Sequence, residues 1–272
     1  LIVSRGLGDV YKRQDFSSSS DAEIATTLKE LNIPLSVEEA KKIQFSFLDR
    51  PPTLTELVLF SIQGSEHSSY KSSKNHIKHF LTDGKHVILG AKDDAGIVSL
   101  SVDNNGDRYG LVVSHESHNH PSQIVPYEGA ATGVGGNVRD VCCMGAEVMS
   151  LGDSLRFGDI KRNKTKWISD GVVSGIAGYG NPLGIPNICG DLYFDKEYNE
   201  NCLVTVLTAG IVKEKSVIRS KAPENSAGYD LILVGKPTDN SGFGGASFAS
   251  LELEEEKEPV SYTHLRAHET RS

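Results

Sequence analysis

The polar run Ser114-His115-Glu116-Ser117-His118-Asn119-His120 directly continues an apolar stretch and is the densest group of chemistry-bearing side chains in the chain. Read as the end of a β-strand, alternation places Glu116, His118 and His120 on one face, with same-face neighbours about 7 Å apart at about 3.3 Å per residue. Such a row can face one ligand. Its carboxylate suits a hard cation, and a histidine, whose ordinary pKa lies near working pH, can move a proton. Two other readings stand beside this one. Histidines at i and i+2 also suit zinc, which needs a third protein ligand; and strand-end polar residues can satisfy one another. Three titratable groups on one face, followed by Pro121 and a glycine-rich segment, favour a site over packing.

That segment runs Glu128-Gly129-Ala130-Ala131-Thr132-Gly133-Val134-Gly135-Gly136-Asn137-Val138-Arg139-Asp140. Glycines near a helix start let phosphate oxygens approach backbone amides, where the helix dipole also favours an anion. They equally permit tight helix packing, and the pattern alone leaves both readings open. Its end is more specific: Arg139 offers a planar fork for carboxylate or phosphate, and Asp140 a hard oxygen ligand of the kind Mg²⁺ prefers. Upstream, Ser65 to Lys74 forms a second polar cluster. If helical, His67, Tyr70, Lys71 and Lys74 share a face that could meet nucleotide phosphates, or that is simply a solvated cationic helix end.

These residues need a scaffold, and 272 residues with 38% hydrophobic content can build one large or two ordinary domains. The net charge of -8 is spread along the chain, which argues against nucleic acid as a partner and requires any phosphate to be caught locally. No apolar run approaches the roughly 20 residues of a membrane span, so no membrane partner is expected, and the expected compartment is the cytosol. The four cysteines, Cys142, Cys143, Cys189 and Cys202, lack metal or disulfide-scaffold spacing and read as reduced thiols. At least one of Cys142 and Cys143, in an apolar helical stretch, is expected in the core.

Three S/T-x-x-E pairs, Ser20 with Glu23, Ser36 with Glu39 and Thr53 with Glu56, predict helix starts in a helical lead-in. From Val87 the pattern alternates: Val98, Leu100 and Val102 predict one strand and Leu111 and Val113 another, joined by a turn at Asn104-Asn105-Gly106-Asp107. Ala131, Val134, Val138 and Val141, then Ile168, Val172 and Ile176, recur at helical spacing, with short strands near 148–151, at Ile188 and over 203–212. The acidic run Glu252 to Glu258 reads as a solvated face or loop. The expected organisation is adapter-like sequence over 1–14, a helical lead-in with an active-site segment over 15–75, a sheet domain over 76–215, the start of a further domain over 216–260, and adapter-like sequence over 261–272.

The run His115-Glu116-Ser117-His118-Asn119-His120-Pro121, then Pro126 to Gly136 and Arg139-Asp140, resembles the signature of the formylglycinamidine ribonucleotide synthase (phosphoribosylformylglycinamidine synthase) family. Ser154 to Gly158, Gly175 to Asn181 and Gly244 to Ser250 extend the similarity, which runs from about Thr53 to Ser250. The resemblance implies an α/β (α+β) fold: a sheet domain like that of aminoimidazole ribonucleotide synthetase, preceded by a small helical linker and followed by the start of a second α+β domain. It implies an ATP-dependent carbon–nitrogen ligase of purine biosynthesis that converts formylglycinamide ribonucleotide and ammonia to the amidine, with ATP and Mg²⁺ as cofactors. Its partners would be a glutaminase subunit or domain and a small accessory subunit. Carried over by motif, His67 is the upstream active-site histidine and Tyr70 an ATP contact. Glu116 and Asp140 are magnesium ligands and His118 the proton acceptor; Ser117, His118, Asn119, His120 and Arg139 bind substrate. The family's ATP-contacting lysine two residues before the glutamate is Ser114 here, which leaves Lys71 or Lys74 as replacements. Two alternatives remain: a catalytically silent nucleotide-binding or assembly piece, and another ATP-dependent enzyme of the superfamily, which would lack His118-Asn119-His120. The piece alone is expected to be inactive.

Overall fold

The computed structural model describes residues 11–235, which divide into two units, 11–79 and from 80 onward. In the first, each of the three predicted helix starts is a reciprocal capping box: Ser20/Glu23 opens α1 (Asp21–Glu30), Ser36/Glu39 opens α2 (Val37–Lys42) and Thr53/Glu56 opens α3 (Leu54–Gln63). Each box gives two otherwise orphaned amides a partner. Helix α2 runs on into one π-helical stretch, Ile43–Leu48, stopped by Asp49 in the left-handed region. Phe16, Ile24, Leu28, Ile33, Ala40, Ile43, Leu54 and Leu57 form the core of this unit. Buried Gln44 ties in the chain start, accepting from the Phe16 amide at 2.8 Å and donating to Asp15 at 2.7 Å. The backbone of residues 12–14 also bonds to residues 52–54, so the ordered unit begins before residue 15.

Glu56 illustrates how these caps respond to pH. Arg50 first, then the Thr53 amide, pull its carboxyl from 4.5 to about 2. A depressed carboxylate pKa contributes stability that is whole above the unfolded value and is lost as pH falls through the folded one. Thermal unfolding of the first unit is therefore expected to lose stability between about pH 4.5 and 2, and Glu56→Gln to remove part of that slope; solvent screening at this partly exposed pair keeps the effect small. An unchanged pH profile in the variant would show that the pair does not matter.

The second unit is built on a six-stranded sheet of order β1-β2-β3-β6-β4-β5, comprising β1 (Val87–Leu89), β2 (Gly96–Val102), β3 (Arg108–Ser117), β4 (Glu147–Phe157), β5 (Asn187–Phe194) and β6 (Leu203–Lys213). Only β4–β5 is parallel. The predicted turn joins β2 to β3, with Gly106 at a φ of 83° that side-chain-bearing residues avoid. One face carries the helices α7 (Pro126–Cys143) and α8 (Asn163–Leu183), introduced by the short α6 (Asn119–Ile124). Val134, Val138, Ile168, Val172 and Ile176 of the helices pack there on Leu151, Leu155, Val204 and Val206.

The alternation of β2 is real, but its helix-facing residue is Ile97, fully buried against the Val112 cluster, while Val98, Leu100 and Val102 are exposed. Both faces of this sheet are apolar, so the pattern alone does not say which one the helices cover. The cysteine expectation needs a larger correction. Cys142 and Cys143 are both exposed, because the buried stripe of α7 passes through Val134, Val138 and Val141 and continues to Met144. Cys202 is the buried one, its thiol pushed up to about 12 by desolvation. The Gly244 to Ser250 motif, most of the expected further domain, the acidic run and the adapter-like tail fall beyond residue 235, outside the described residues.

Candidate functional site

Strand β3 pairs with β6 in unbroken register from Tyr109 to Ser117, so residues two apart share a face. Val112 and Ser114 are buried on the helix side. Glu116 is the next residue on that face, exposed where the strand ends, about 7 Å along the strand from Ser114. Ser114 Oγ donates to Asp140 Oδ2 of α7 at 3.1 Å. The position that lacks the family's lysine thus anchors the acid of α7 beside the strand end that carries Glu116. Burial first, then the charge of Asp94, hold the Asp140 carboxyl above its usual range, opposed by Ser114 and Arg139.

The expected row of Glu116, His118 and His120 along one strand is not what forms. The strand stops at Ser117; His118 is the residue before α6, with its amide donating to the Val204 carbonyl at 2.8 Å, and His120 lies inside α6. A turn of helix replaces the extended backbone, so strand alternation ceases to govern where the histidines point. The turn is locked from within: Ser122 Oγ donates to the His118 carbonyl at 2.6 Å, and Asn119 Oδ1 accepts from the Val204 amide at 2.8 Å. Asn119, expected to bind substrate, therefore spends its carbonyl oxygen on the start of β6. His118 and His120 are half-buried, and Ser117 and Arg139 exposed.

The glycine-rich stretch is helix rather than a phosphate-cradling loop. A Cβ on Gly129 would lie 2.6 Å from the backbone of Pro121 and Ser122, one on Gly133 2.9 Å from His118 Cβ, and one on Gly135 2.7 Å from the Tyr179 ring. Of the two readings left open by sequence, close packing holds for these three positions: Gly129 and Gly133 seat α6, with His118, against α7, and Gly135 seats α8 there. Asn137 was missed. It is fully buried, and its Nδ2 donates to the Val206 carbonyl at 3.1 Å, a polar tie between α7 and the sheet. A lone asparagine within a glycine run carries no sequence signal for that role.

The upstream segment also departs from expectation. Helix α4 (Glu66–Ser69) ends after one turn because Tyr70 adopts φ 50°, and a separate turn, α5 (Lys74–Ile77), follows. His67, Tyr70, Lys71 and Lys74 therefore do not share a helical face. Glu66 drives the reversal: its carboxylate accepts from the hydroxyl and amide of both Ser72 and Ser73, bonds led by the Ser73 hydroxyl that bring its pKa down to about 2. Lys71, one candidate replacement cation, is paired with Glu39 at 2.7 Å. His67 and Tyr70 are exposed on the first unit.

Among the described residues no group of three or more histidine, cysteine, aspartate or glutamate side chains is arranged to hold a metal, which leaves the zinc reading without its third ligand. Two carboxylates suffice for Mg²⁺ when ligand phosphates complete the shell, and Glu116 and Asp140 supply hard oxygens of that kind. No described helix is long and apolar enough to cross a membrane. A cavity of about 170 Å³ between α8, β4 and β5, lined by Leu155, Ile176 and Asn181 among others, contains none of the residues singled out above.

Residues 92–212 match a family described as AIR synthase related protein, N-terminal domain, and residues 24–71 one described as formylglycinamide ribonucleotide amidotransferase linker domain. The chain is 51% identical over 245 residues to phosphoribosylformylglycinamidine synthase subunit PurL of Methanothrix thermoacetophila, covering 88% of this chain and 31% of the relative. To the subunit of the same name from Caulobacter vibrioides it is 43% identical, covering 89% and 32%. Among solved structures, Thermotoga maritima PurL complexed with FGAR superposes with a TM-score of 0.65 at 33% identity, over 84% of this chain and 34% of that one. The same protein complexed with ATP gives 0.58 at 38% identity, over 69% and 29%. The chain spans about a third of the length of these relatives, and with two family matches in order along it and this depth of identity, it belongs to the phosphoribosylformylglycinamidine synthase (PurL) family.

Proposed function

We propose that this chain carries part of the site of an ATP-dependent ligase that turns the amide of formylglycinamide ribonucleotide into an amidine, using ammonia delivered by a glutaminase subunit or domain, in the cytosol. A small accessory subunit completes the proposed assembly. The observation that carries the reading is the Ser114–Asp140 hydrogen bond, which sets the acid of α7 beside the strand end bearing Glu116. Supporting it are the family membership and the ligands named for Thermotoga maritima PurL, ATP and FGAR.

In this reading Glu116 and Asp140 hold Mg²⁺, which when bound neutralises charge on the nucleotide phosphates. The amide oxygen takes the γ-phosphoryl group, ammonia adds to the same carbon, and phosphate leaves with that oxygen. His118 takes the surplus proton from the incoming nitrogen, a role suited to an imidazole packed at a fixed place against Gly133. Arg139, Ser117, Asn119 and His120 orient the phosphorylated substrate. His67 is assigned an assisting catalytic role and Tyr70 a nucleotide contact. The test is a chimera in which this chain replaces the matching segment of the Methanothrix thermoacetophila relative. It should release ADP only with both formylglycinamide ribonucleotide and ammonia present, and Glu116→Gln should abolish that release; activity in the variant would refute the cation role of Glu116.

Asp140 yields a separate test. Because its pKa is raised in the fold, the ionised form costs stability at neutral pH, a cost that disappears as pH falls through the raised value. Asp140→Asn is therefore expected to raise the melting temperature of the chain in EDTA at pH 7 while removing Mn²⁺ binding. A lowered melting temperature would contradict the electrostatic account.

A further inference from the structure

Helix α6 is too short to fix its own position. Its six residues make less than two turns, its start has no side-chain cap, and Pro121 within it has no amide to donate. What holds it is the segment that leads into β6. At the start of α6 the His118 amide donates to the Val204 carbonyl and the Val204 amide to Asn119 Oδ1, each at 2.8 Å. At its far end stands Gln123, 5% exposed, with both ends of its side-chain amide engaged. Its Oε1 accepts from the Cys202 amide at 2.9 Å, and its Nε2 donates to the Asn199 carbonyl at 3.3 Å. The receiving segment is itself anchored, because Asn199 Oδ1 accepts from the Asp159 amide at 2.8 Å, just beyond the end of β4. Gln123 therefore ties α6 to the frame of the sheet through backbone groups.

Asn119 and Gln123 are four residues apart on α6 and so share one face of the helix, the face turned to this segment. One clasp at Asn119 would leave the helix free to pivot about that point. The second fixes its angle, while on the other side a Cβ at Gly133 would lie 2.9 Å from His118 Cβ. The geometry points to Gln123 as a positioning residue: by bridging Cys202 and Asn199 it holds α6 at the angle that directs His118 and His120 into the site. This assignment rests on the reading of His118 as the proton acceptor. Proton transfer requires that group within hydrogen-bond reach of the reacting nitrogen, and a displacement of about 1 Å can cost about 10²-fold in rate. Gln123 itself touches no reacting group, since its oxygen and its nitrogen are both spent on the backbone.

The test uses the chimera that completes this chain. Gln123→Met keeps the volume and removes both hydrogen bonds; kcat should fall about 10- to 100-fold. The KM for ATP should stay unchanged, because Glu116 and Asp140 lie outside α6. Amide exchange over residues 119–124 should rise about tenfold in the same variant. Gln123→Glu covers the case in which the methionine variant fails to fold. Ionised, its carboxylate opposes the Asn199 carbonyl; protonated, it accepts from Cys202 and donates to Asn199 as the glutamine does, and burial raises the pKa of such a group. Its kcat, divided by that of the unaltered chimera at each pH, should therefore recover severalfold between about pH 8 and about pH 6. Unaltered kcat in Gln123→Met, a loss of kcat matched by an equal loss of ATP affinity, or a flat ratio in Gln123→Glu overturns the positioning role. His118→Ala separates the two claims. If it keeps full kcat, the proton-acceptor reading falls and this assignment with it; if it is slow while Gln123→Met is not, the positioning role alone falls.

Discussion

His118→Ala, made in the chimera that completes this chain, is expected to lower kcat by about 10²- to 10⁴-fold, the usual contribution of a positioned proton acceptor. Nucleotide affinity should change little. The reasoning is positional. His118 sits between the end of β3 and α6, its amide bonded to Val204, its carbonyl taken by Ser122 and its Cβ against Gly133. Three neighbours set the backbone from which the imidazole projects, and all three bonds and contacts survive truncation to alanine. The loss should therefore appear in turnover rather than in folding, and the limb of the pH–rate profile that reports deprotonation of an essential base should go with it. A variant that retains full kcat, or one that loses ATP affinity in proportion to rate, would remove His118 from the proton-transfer role.

Gly175→Ala is expected to destabilise the second unit by about 3 kcal/mol or more, at the upper end of what overpacking costs. The new Cβ would stand 2.2 Å from the Tyr127 carbonyl oxygen and 3.1 Å from the Ala131 amide nitrogen. Both are backbone atoms of α7, so no rotamer change relieves the clash and the two helices must separate. A Cβ on Gly171 would meet the Pro126 ring at 2.6 Å, extending the stripe along which α7 and α8 cross closely. Gly136→Ala is the matched control: the nearest atom to its Cβ is Arg139 Nη2 at 4.0 Å, and better helix propensity should add up to about 1 kcal/mol. Thermal unfolding of both variants decides the matter; equal melting temperatures would mean that the helix crossing tolerates a side chain.

Local chemistry was readable from sequence where neighbours a few residues apart supply the whole interaction. The capping boxes at Ser20, Ser36 and Thr53 formed as their spacing requires, as did the turn at Gly106 and the buried stripe of Val134, Val138 and Val141. The motif around His118 and the pair Arg139-Asp140 identified the family. What the sequence did not determine depends on partners distant along the chain. The histidine row was broken because Val204 and Ser122 favour a helical turn at His118, and the cationic helix because Glu66 turns back onto Ser72 and Ser73. The glycines took their meaning only when Pro121, His118 and Tyr179 arrived against them. Periodicity records which side chains share a face, whereas the identity of whatever covers that face is a tertiary fact: the helices chose Ile97 over Val98 and left Cys142 and Cys143 outside.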